Sequence, residues 1–268
     1  MAATAAVPNP VLQAVAHLDW LSIQPLETWI TDAQSSDPKV KQMAELALTQ
    51  MGTNMLPGIL KILNESTEQS PDADNRRVNV AEAVKYMGPA VKPALPAFEA
   101  LLRSGQQEKA YSGGRALAFS APIVPEAFSI LTNALLDPAP GVRDAATHGT
   151  GWCLSFSPHE FAVPALPLLV RNLKDPVDYL RSDTAAALAN FTQHQCQEGK
   201  PEPDFLWLPL LEMLHDKYSY ARTHSLSALS CSAYRDQLKP SLPEIQRLLT
   251  DPDEGVRRFA TNLLQMIK

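Results

Sequence analysis

The sequence predicts an all-α protein in which similar pairs of helices stack side by side. The first observation is a segment that occurs four times: DPAPGVRDAA, DPVDYLRSDT, DKYSYARTHS and DPDEGVRRFA. Each copy begins with Asp, has an apolar or small residue five positions later and has Arg six positions later. The second observation is a proline-bearing apolar segment before the last three copies: LPLLVRNL, LPLLEML and LPEIQRLL. The third is the presence of 23 prolines against 11 glycines, which is typical of helices with proline in their first turns.

The repeated unit is predicted to be a helix, an Asp-Pro turn and a second helix. Asp is a good N-cap and Pro suits the first helical position, so Asp-Pro predicts the start of the second helix. Apolar residues of the last second helix follow the 3–4 spacing of one buried stripe: Val256, Ala260, Leu263, Leu264 and Ile267. A single pair cannot bury both of its faces, so the pairs are expected to stack.

This arrangement resembles the HEAT-repeat family. The matching residues are the Asp and the Val-Arg of each turn and one proline in each first helix: Pro57, Pro96, Pro125, Pro167, Pro209 and Pro243. The resemblance implies a right-handed α-α superhelix, a solenoid of antiparallel helix pairs. It also implies that first helices form the convex side and that second helices line the concave side, where partners usually bind.

The resemblance covers nearly the whole chain, which we predict to be a single solenoid over residues 1–268 with an N-terminal capping helix in 1–19. Seven repeats are expected near residues 20–52, 54–88, 90–120, 123–155, 160–193, 204–233 and 238–268. The third repeat departs from the pattern, since it has Ser104 where Asp belongs and Ala110 where Arg belongs. Polar, turn-rich residues at 64–75 and 194–204 predict two exposed loops.

The Asp and Arg of each turn are predicted to form a structural ladder. An Arg six residues after an Asp can reach the Asp carboxylate of its own repeat or of a neighbouring one. The members of this Asp–Arg ladder are Asp137, Arg143, Asp175, Arg181, Asp216, Arg222, Asp251 and Arg257.

Aligning the second helices on their buried stripe predicts which residues point into the groove. Charged and aromatic residues cluster in the second to fourth repeats, whereas the fifth and sixth show almost only Ala, Ser and Thr. Tyr and Arg often carry interface energy, so this cluster predicts a partner-binding site. The candidate residues are Glu82, Lys85, Tyr111, Arg115, Asp144, His148 and Gly151.

Two glycine pairs, in YSGGR (111–115) and HGTGW (148–152), fall on consecutive second helices. Gly inside a helix costs about 1 kcal/mol relative to Ala, so these positions call for a reason. Gly149 is expected at a helix–helix contact. Gly114 and Gly151 are expected nearer the open face, where they either reflect tight packing or leave a pit.

The composition of the chain argues against several classes of function. The net charge is −6, with 23 Lys and Arg against 29 Asp and Glu, which argues against nucleic-acid binding. There is no run of about 18 apolar residues, so no membrane span is expected, and we see no secretory signal. Three cysteines, an odd and sparse set, predict a reducing, cytoplasmic location without a disulfide framework.

These observations favour a non-enzymatic scaffold that binds a protein or peptide in its groove, as a monomer or weak homo-oligomer, without a cofactor. No paired Cys or His spacing predicts a metal site, and no G-x-S-x-G motif predicts a nucleophilic centre. Two alternatives stay open. One is a bilin-lyase-like or other small-ligand protein with a pocket at repeats 3–4. The other is a HEAT-like DNA glycosylase, which the acidic charge disfavours.

Overall fold

The computed structural model describes residues 19–65, 69–156, 163–199, 203–230 and 234–267. Every regular element in these ranges is an α-helix or a 3-10 helix, and the all-α prediction is confirmed. The chain divides into two compact units, Met1–Ala94 and Leu95–Lys268, which are described one at a time. Apart from Asp19, the capping helix predicted within 1–19 lies outside the described residues.

The first unit is a series of short helices around a core of small and aliphatic side chains that also contains Trp20 and Trp29. Its α-helices are α1 (Trp20–Ile23), α2 (Leu26–Asp32), α3 (Pro38–Met51), α4 (Leu56–Glu65) and α5 (Pro71–Glu82), and 3-10 turns cover Gly52–Met55 and Ala83–Ala94. Asp37 caps α3 as the Asp-Pro rule predicts, because its carboxylate accepts the backbone N–H groups of Lys39 and Val40.

The loop predicted at 64–75 is shorter than expected. Pro71 begins helix α5, and the Ser70 hydroxyl accepts the backbone N–H of Ala73 as an N-cap. Asp72 and Asp74 lie in the first turn, where negative charge complements the helix dipole. Ser, Pro and Asp are therefore a helix start here, although the same residues are also typical of loops.

The second unit contains five helix pairs and one short extra helix. First helices are α6 (Leu95–Leu102), α8 (Pro125–Ala134), α10 (Leu166–Asn172), α12 (Trp207–Glu212) and α15 (Leu242–Arg247). Second helices are α7 (Gln107–Ser120), α9 (Pro140–Phe156), α11 (Asp178–Gln197), α13 (Ser219–Leu229) and α16 (Glu254–Ile267), while α14 (Arg235–Leu238) precedes α15. The second helices pack in chain order, α7 on α9, α9 on α11, α11 on α13 and α13 on α16.

Three arginines join successive repeats along the turns. Arg143 Nε lies 2.8 Å from Asp175 Oδ2, Arg181 Nε lies 2.5 Å from Asp216 Oδ2, and Arg222 Nη2 lies 2.7 Å from Asp251 Oδ1. These three arginines and Arg257 also donate from Nη1 to the backbone carbonyl of the Asp in their own repeat. The arginine side chain therefore pairs with the Asp carboxylate of the following repeat, and not with the Asp carboxylate of its own repeat.

In these four repeats the Asp shapes the turn and does not cap the helix directly. The Asp175 carboxylate accepts the backbone N–H of Val177, and α11 begins one residue later, at Asp178. Asp216 accepts from Tyr218 in the same way before α13. The expectation that Asp-Pro places helix position one at the proline is wrong here, because the turn inserts two residues first.

Close packing explains three of the glycines. A methyl group added at Gly114 would lie 2.6 Å from the carbonyl oxygen of Ala145, and one added at Gly149 would lie 2.7 Å from the carbonyl oxygen of Gly114. One added at Gly113 would lie 2.4 Å from the amide nitrogen of Leu102. The backbones of α7 and α9 therefore touch, and the expectation that Gly114 lies near the open face is wrong.

The cysteines differ from one another. Cys153 is free and buried, and burial raises the pKa of its thiol to about 12. Cys196, at the end of α11, is disulfide-bonded, a bond that the composition did not lead us to expect. The number of cysteines in a chain does not reveal which side chains the stacking of repeats brings together. Cys231 lies outside the described residues.

Candidate functional site

Four of the predicted site residues meet on helices α7 and α9. The Tyr111 hydroxyl donates to Asp144 Oδ2 at 2.7 Å. The Tyr111 ring stacks on the His148 ring, with centroids 4.8 Å apart and planes inclined by 20°. Arg115 Nη2 lies 3.2 Å from His148 Nε2. The sequence alignment thus places in one cluster residues that are 33 positions apart along the chain.

Two members of this cluster lie beneath the surface. Arg115 is 4% exposed and Asp144 is 3% exposed, whereas Tyr111 and His148 are half-buried. Arg115 therefore holds His148 from below and does not itself present a charge to a partner.

An acidic residue that sequence reasoning missed completes the cluster. Asp183 of α11 shares a hydrogen bond with the Asp144 carboxyl. Burial raises the pKa of Asp144, although hydrogen bonds with Tyr111 and Asp183 act in the opposite direction. Burial, together with the hydrogen bond and the charge of Asp144, raises the pKa of Asp183 to about 7. The two carboxyls therefore retain one proton between them until the pH approaches neutrality.

A cavity of about 380 Å³ opens beside this acid pair. The residues that line it come from α9 and α11: His148, Gly151, Trp152, Ser155, Asp183, Ala186, Ala187 and Asn190. The centroids of the Trp152 and Phe119 rings are 5.6 Å apart. The guanidinium carbon of Arg115 lies 6.0 Å from the centroid of the Trp152 ring. Both interpretations of the glycines therefore apply, tight packing at Gly114 and a pit at Gly151.

A second cavity, of about 480 Å³, lies at the other end of the acid pair. It is lined by Leu102, Gly105, Gln106, Gln107, Ala110, Ala139, Gly141, Val142, Asp144 and Tyr179. Among the described residues that line it, Asp144 is the only charged one. Ala110, which stands where other repeats have Arg, contributes to the same wall. The third repeat, which departs from the ladder pattern, thus borders the open space.

Part of the predicted inward face is buried. Ala118 (4% exposed) and Ala189 (3% exposed), which align with Gly151 on the second helices, do not reach the surface. The next positions along the chain are more exposed, at Phe119, Trp152 and Asn190. One residue turns the helix by about 100°, so an error of one position exchanges a buried column for an accessible one.

Two exposed tyrosines extend this face along the array. Tyr179 and Tyr220 each follow a ladder Asp by four positions, and they are 44% and 60% exposed. We use the name second-helix surface for the accessible side chains on helices α7, α9, α11 and α13: Tyr111, His148, Trp152, Tyr179, Asp183, Asn190 and Tyr220. The aromatic and amide content of this surface was visible in the sequence, but its register was not.

Glu82 and Lys85 belong to the first unit and form a local pair there. Lys85 Nζ lies 2.5 Å from Glu82 Oε1 and 5.0 Å from the Tyr86 ring centroid. Gln34 donates to the other Glu82 oxygen at 3.4 Å. The charges of Glu82 and Lys85 therefore compensate each other within the first unit.

Two searches over the described residues bear on other kinds of site. They contain no group of three or more His, Cys, Asp or Glu side chains placed to hold a metal ion. Among the described helices, none combines the length and the apolar character needed to cross a membrane.

Comparison with known proteins gives a fold and no closer relative. Neither a family model nor a curated protein sequence matches the chain. An engineered protein of known structure matches with a TM-score of 0.52 at 18% identity, covering 90% of this chain and 96% of that one. A designed armadillo repeat protein in complex with the peptide (KR)4 matches with a TM-score of 0.53 at 18% identity, covering 91% of this chain and all of that one.

The karyopherin Kap121p, bound to the extreme C-terminus of the protein phosphatase Cdc14p, matches with a TM-score of 0.61. In that comparison the identity is 15%, and the match covers 91% of this chain and 29% of the karyopherin. Identities this low carry the fold alone. The fold is a helical-repeat solenoid of the armadillo and HEAT kind, and the resemblance noted in the sequence is confirmed.

Proposed function

We propose that this helical-repeat solenoid is a non-enzymatic scaffold that binds a segment of a protein partner along the second-helix surface of its second unit. The observation that carries the proposal is the cavity of about 380 Å³ beside the stacked Tyr111 and His148 rings. It exposes Trp152 next to an amide and a carboxyl group. Aromatic anchors beside polar groups are typical of sites that bind peptides tightly.

The fold is compatible with this use. The designed armadillo protein named above is in complex with a peptide, and the karyopherin is bound to the end of another protein. A stacked array presents successive side chains at regular intervals, which suits an extended segment. Trp152, Tyr179 and Tyr220 are aromatic side chains on successive second helices of this array. Tyr179 and Tyr220 are exposed, and Trp152 is half-buried.

The charge of the chain favours a protein partner over a nucleic acid. The net charge is −6. Asp183 borders the cavity of about 380 Å³, and Asp144 borders the cavity of about 480 Å³. Carboxylates repel phosphate groups, so binding of a duplex would lack the counterion release that drives it. The acidic charge of this surface therefore disfavours a DNA glycosylase.

A small molecule is a second candidate occupant, and the size of the cavity favours it. A volume of about 380 Å³ lies within the range of roughly 300–1,000 Å³ typical of small-ligand sites. This candidate predicts that protein purified from its native host carries a stoichiometric ligand, detected by absorbance and by mass spectrometry of the denatured sample. A bilin would give visible colour.

Selection from a random dodecapeptide library displayed on phage tests the scaffold proposal. We expect wild-type protein to select peptides that bind in the micromolar range, and we expect Trp152→Ala and Asn190→Ala each to weaken that binding about tenfold. Asn190 is exposed, so its truncation is not expected to disturb folding.

Leu208→Ala is the matched control. Leu208 is 50% exposed on first helix α12, away from the second helices, so binding is expected to be unchanged. The proposal is wrong if no peptide is selected, or if all three variants bind the selected peptides as the wild type does.

A further inference from the structure

A second row of contacts joins successive repeats at the ends of their first helices. In this row, the residue just before the ladder Asp of one repeat meets the residue four positions before the ladder Asp of the next. Lys174 Nζ lies 3.3 Å from Glu212 Oε2, and Arg247 Nη2 lies 3.1 Å from His215 Nδ1. Each contact gives a cationic side chain a polar partner in the neighbouring repeat.

The same spacing matches Leu136 with Arg171, and there the partner is lacking. Leu136 precedes Asp137, and Arg171 lies four positions before Asp175. A leucine side chain offers no acceptor to a guanidinium group. Within the ranges that the structure describes, no carboxylate forms an ion pair with the exposed Arg171 side chain. This position of the row therefore holds a cation whose charge is not matched.

Leu136 and Arg171 line one cleft of about 470 Å³, at the edge along which the Asp–Arg ladder runs. Leu136 is 45% exposed, and Pro138 adds apolar surface beside it. Lys174 lies on the same cleft, and its pair with Glu212 is open to solvent on both sides, so it is held weakly. The cleft thus combines an apolar wall with one unmatched cation and one loosely held cation.

The two aspartates of the cleft do not cancel these charges. Asp137 pairs with Arg103, and Asp175 pairs with Arg143. Each of these aspartates therefore has a cation from the preceding repeat, and the excess charge of the cleft is positive. A negatively charged group from outside would meet this excess although the chain as a whole is acidic, because charges farther away than about 10 Å are largely screened at 0.1 M salt.

We infer that this cleft docks an acidic segment of a protein partner. An Asp or Glu carboxylate of the segment binds Arg171, and a neighbouring apolar side chain packs on Leu136. A guanidinium group suits a carboxylate because its planar fork donates two parallel hydrogen bonds. None of the residues that line the cleft belongs to the second-helix surface, so this second docking surface does not depend on the first.

The test compares two peptides of nearly equal shape and different charge. The probes are acetyl-Gly-Glu-Leu-Glu-Gly-amide and acetyl-Gly-Gln-Leu-Gln-Gly-amide. Binding at about 0.1 M salt is followed in NMR spectra through the side-chain amide of Asn172, which lines the cleft and donates to the Leu135 carbonyl at 3.2 Å. We expect a dissociation constant in the millimolar range for the acidic peptide and binding about tenfold weaker for the glutamine peptide.

Two arginine variants locate the charge effect. Arg171→Gln is expected to reduce the preference for the acidic peptide to less than about threefold. Arg247→Gln is the matched control, since Arg247 has the same position in the last repeat but contacts His215, and it is expected to keep the full preference. Both arginines are exposed, so neither variant is expected to disturb folding. Equal effects of the two variants would mean a general attraction of charges and would overturn the inference.

A leucine variant tests the apolar part of the cleft. Leu136→Ala is expected to weaken both peptides alike, by about threefold, because it removes apolar contact and leaves every charge in place. If both affinities stay unchanged, the leucine of the peptide does not use this wall and the inference is wrong.

Inorganic phosphate distinguishes a docking cleft from a site for free anions. We expect phosphate to shift the Asn172 signal only at concentrations well above those at which the acidic peptide does so, since phosphate has no apolar group for Leu136. Equal affinities for phosphate and peptide would overturn the inference. An acidic peptide that does not bind even at millimolar concentration would overturn it as well, and neither result bears on the second-helix surface.

Discussion

Two sets of aspartates in the second unit, each removed wholly or partly from solvent, have opposite surroundings. The ladder carboxylates of Asp175, Asp216 and Asp251 each face an arginine of the preceding repeat. Asp144 and Asp183 face each other. Burial acts to raise the pKa of Asp216, but hydrogen bonds with Arg181 and the Tyr218 amide hold it below the usual value. Burial and like charge raise the pKa of Asp183 to about 7.

This difference separates two kinds of carboxylate within one array. A buried carboxylate with its cation in place stabilises the stacking of repeats. A buried carboxylate without a cation destabilises the folded protein, because the loss of its hydration is not compensated. Strained electrostatics of this kind is typical of functional sites.

The largest effect is expected where the ladder is cut. Arg181→Met leaves Asp216 buried without its cation, and the free energy of unfolding is expected to fall by about 3–5 kcal/mol. Urea denaturation followed by circular dichroism at neutral pH measures the loss.

Arg257→Met is the matched control, because the hydrogen bonds recorded for Arg257 go to the carbonyls of Asp251 and Pro252. Its expected loss is about 1 kcal/mol. Equal losses for the two variants would show that the carbonyl contacts, which both arginines make, carry the stability of the ladder.

The next effect concerns the hydroxyl that supports the acid pair. Tyr111→Phe keeps the ring stacked on His148 but removes the donor to Asp144, with an expected loss of about 1.5–3 kcal/mol at neutral pH. Chemical denaturation provides the measurement. Tyr220→Phe is the control, since Tyr220 is 60% exposed, and a change there would show that phenol hydroxyls matter regardless of their partner.

A smaller effect, with a sign set by pH, is expected for Asp183→Asn. The folded-state pKa of Asp183, about 7, lies above the value of about 3.9 for an unfolded chain. Its contribution to stability is therefore fully present below about pH 4 and is lost as the pH rises toward 7.

The asparagine variant does not titrate, so at about pH 8 it is expected to be more stable than the wild type by roughly 1–2 kcal/mol, after allowance for solvent screening of this half-buried group. At about pH 4 the two proteins are expected to be similar. Denaturation curves across this range measure the difference. A wild type that gains stability with rising pH relative to the variant would contradict the assignment of a shared proton.

The smallest effect is expected at the edge of the cavity. A methyl group added at Gly151 would lie 3.1 Å from the Ala187 side chain, which has open space beside it, so Gly151→Ala is expected to change stability by less than about 0.5 kcal/mol. Gly114→Ala, where the methyl group meets backbone, is expected to cost about 1–3 kcal/mol. Thermal unfolding measures the loss of stability in both variants. Equal losses would contradict the prediction and would mean that Gly151 is packed as tightly as Gly114.

The fold and half of the site were predictable from the sequence. The spacing of Asp and Arg is local and repeats, so alignment alone places Tyr111 and Asp144 at equivalent positions of neighbouring second helices. Asp183 was missed because the residue of α11 that aligns with Tyr111 and Asp144 is Ser182, one position earlier. The direction of a helical face depends on how each pair is rotated in the stack, and that rotation is a tertiary property.

Other misses have the same origin in contacts that the local sequence does not encode. Pro71 starts a helix within a stretch whose composition indicates a loop, because Ser70 supplies the cap. Gly114 contacts backbone because α7 and α9 approach closely, whereas Gly151 on α9 meets the more open flank of α11. Two glycines of the same type at similar positions thus have different roles.

The direction of the ladder has a consequence for how an array of this kind changes in length. Each repeat offers one guanidinium forward to the next repeat and one carboxylate backward to the previous one. Duplication of such a repeat adds a donor and an acceptor together, and deletion removes both. The joint that forms in either event is again neutral, so the number of rungs can vary in evolution without creating an unmatched charge between neighbours.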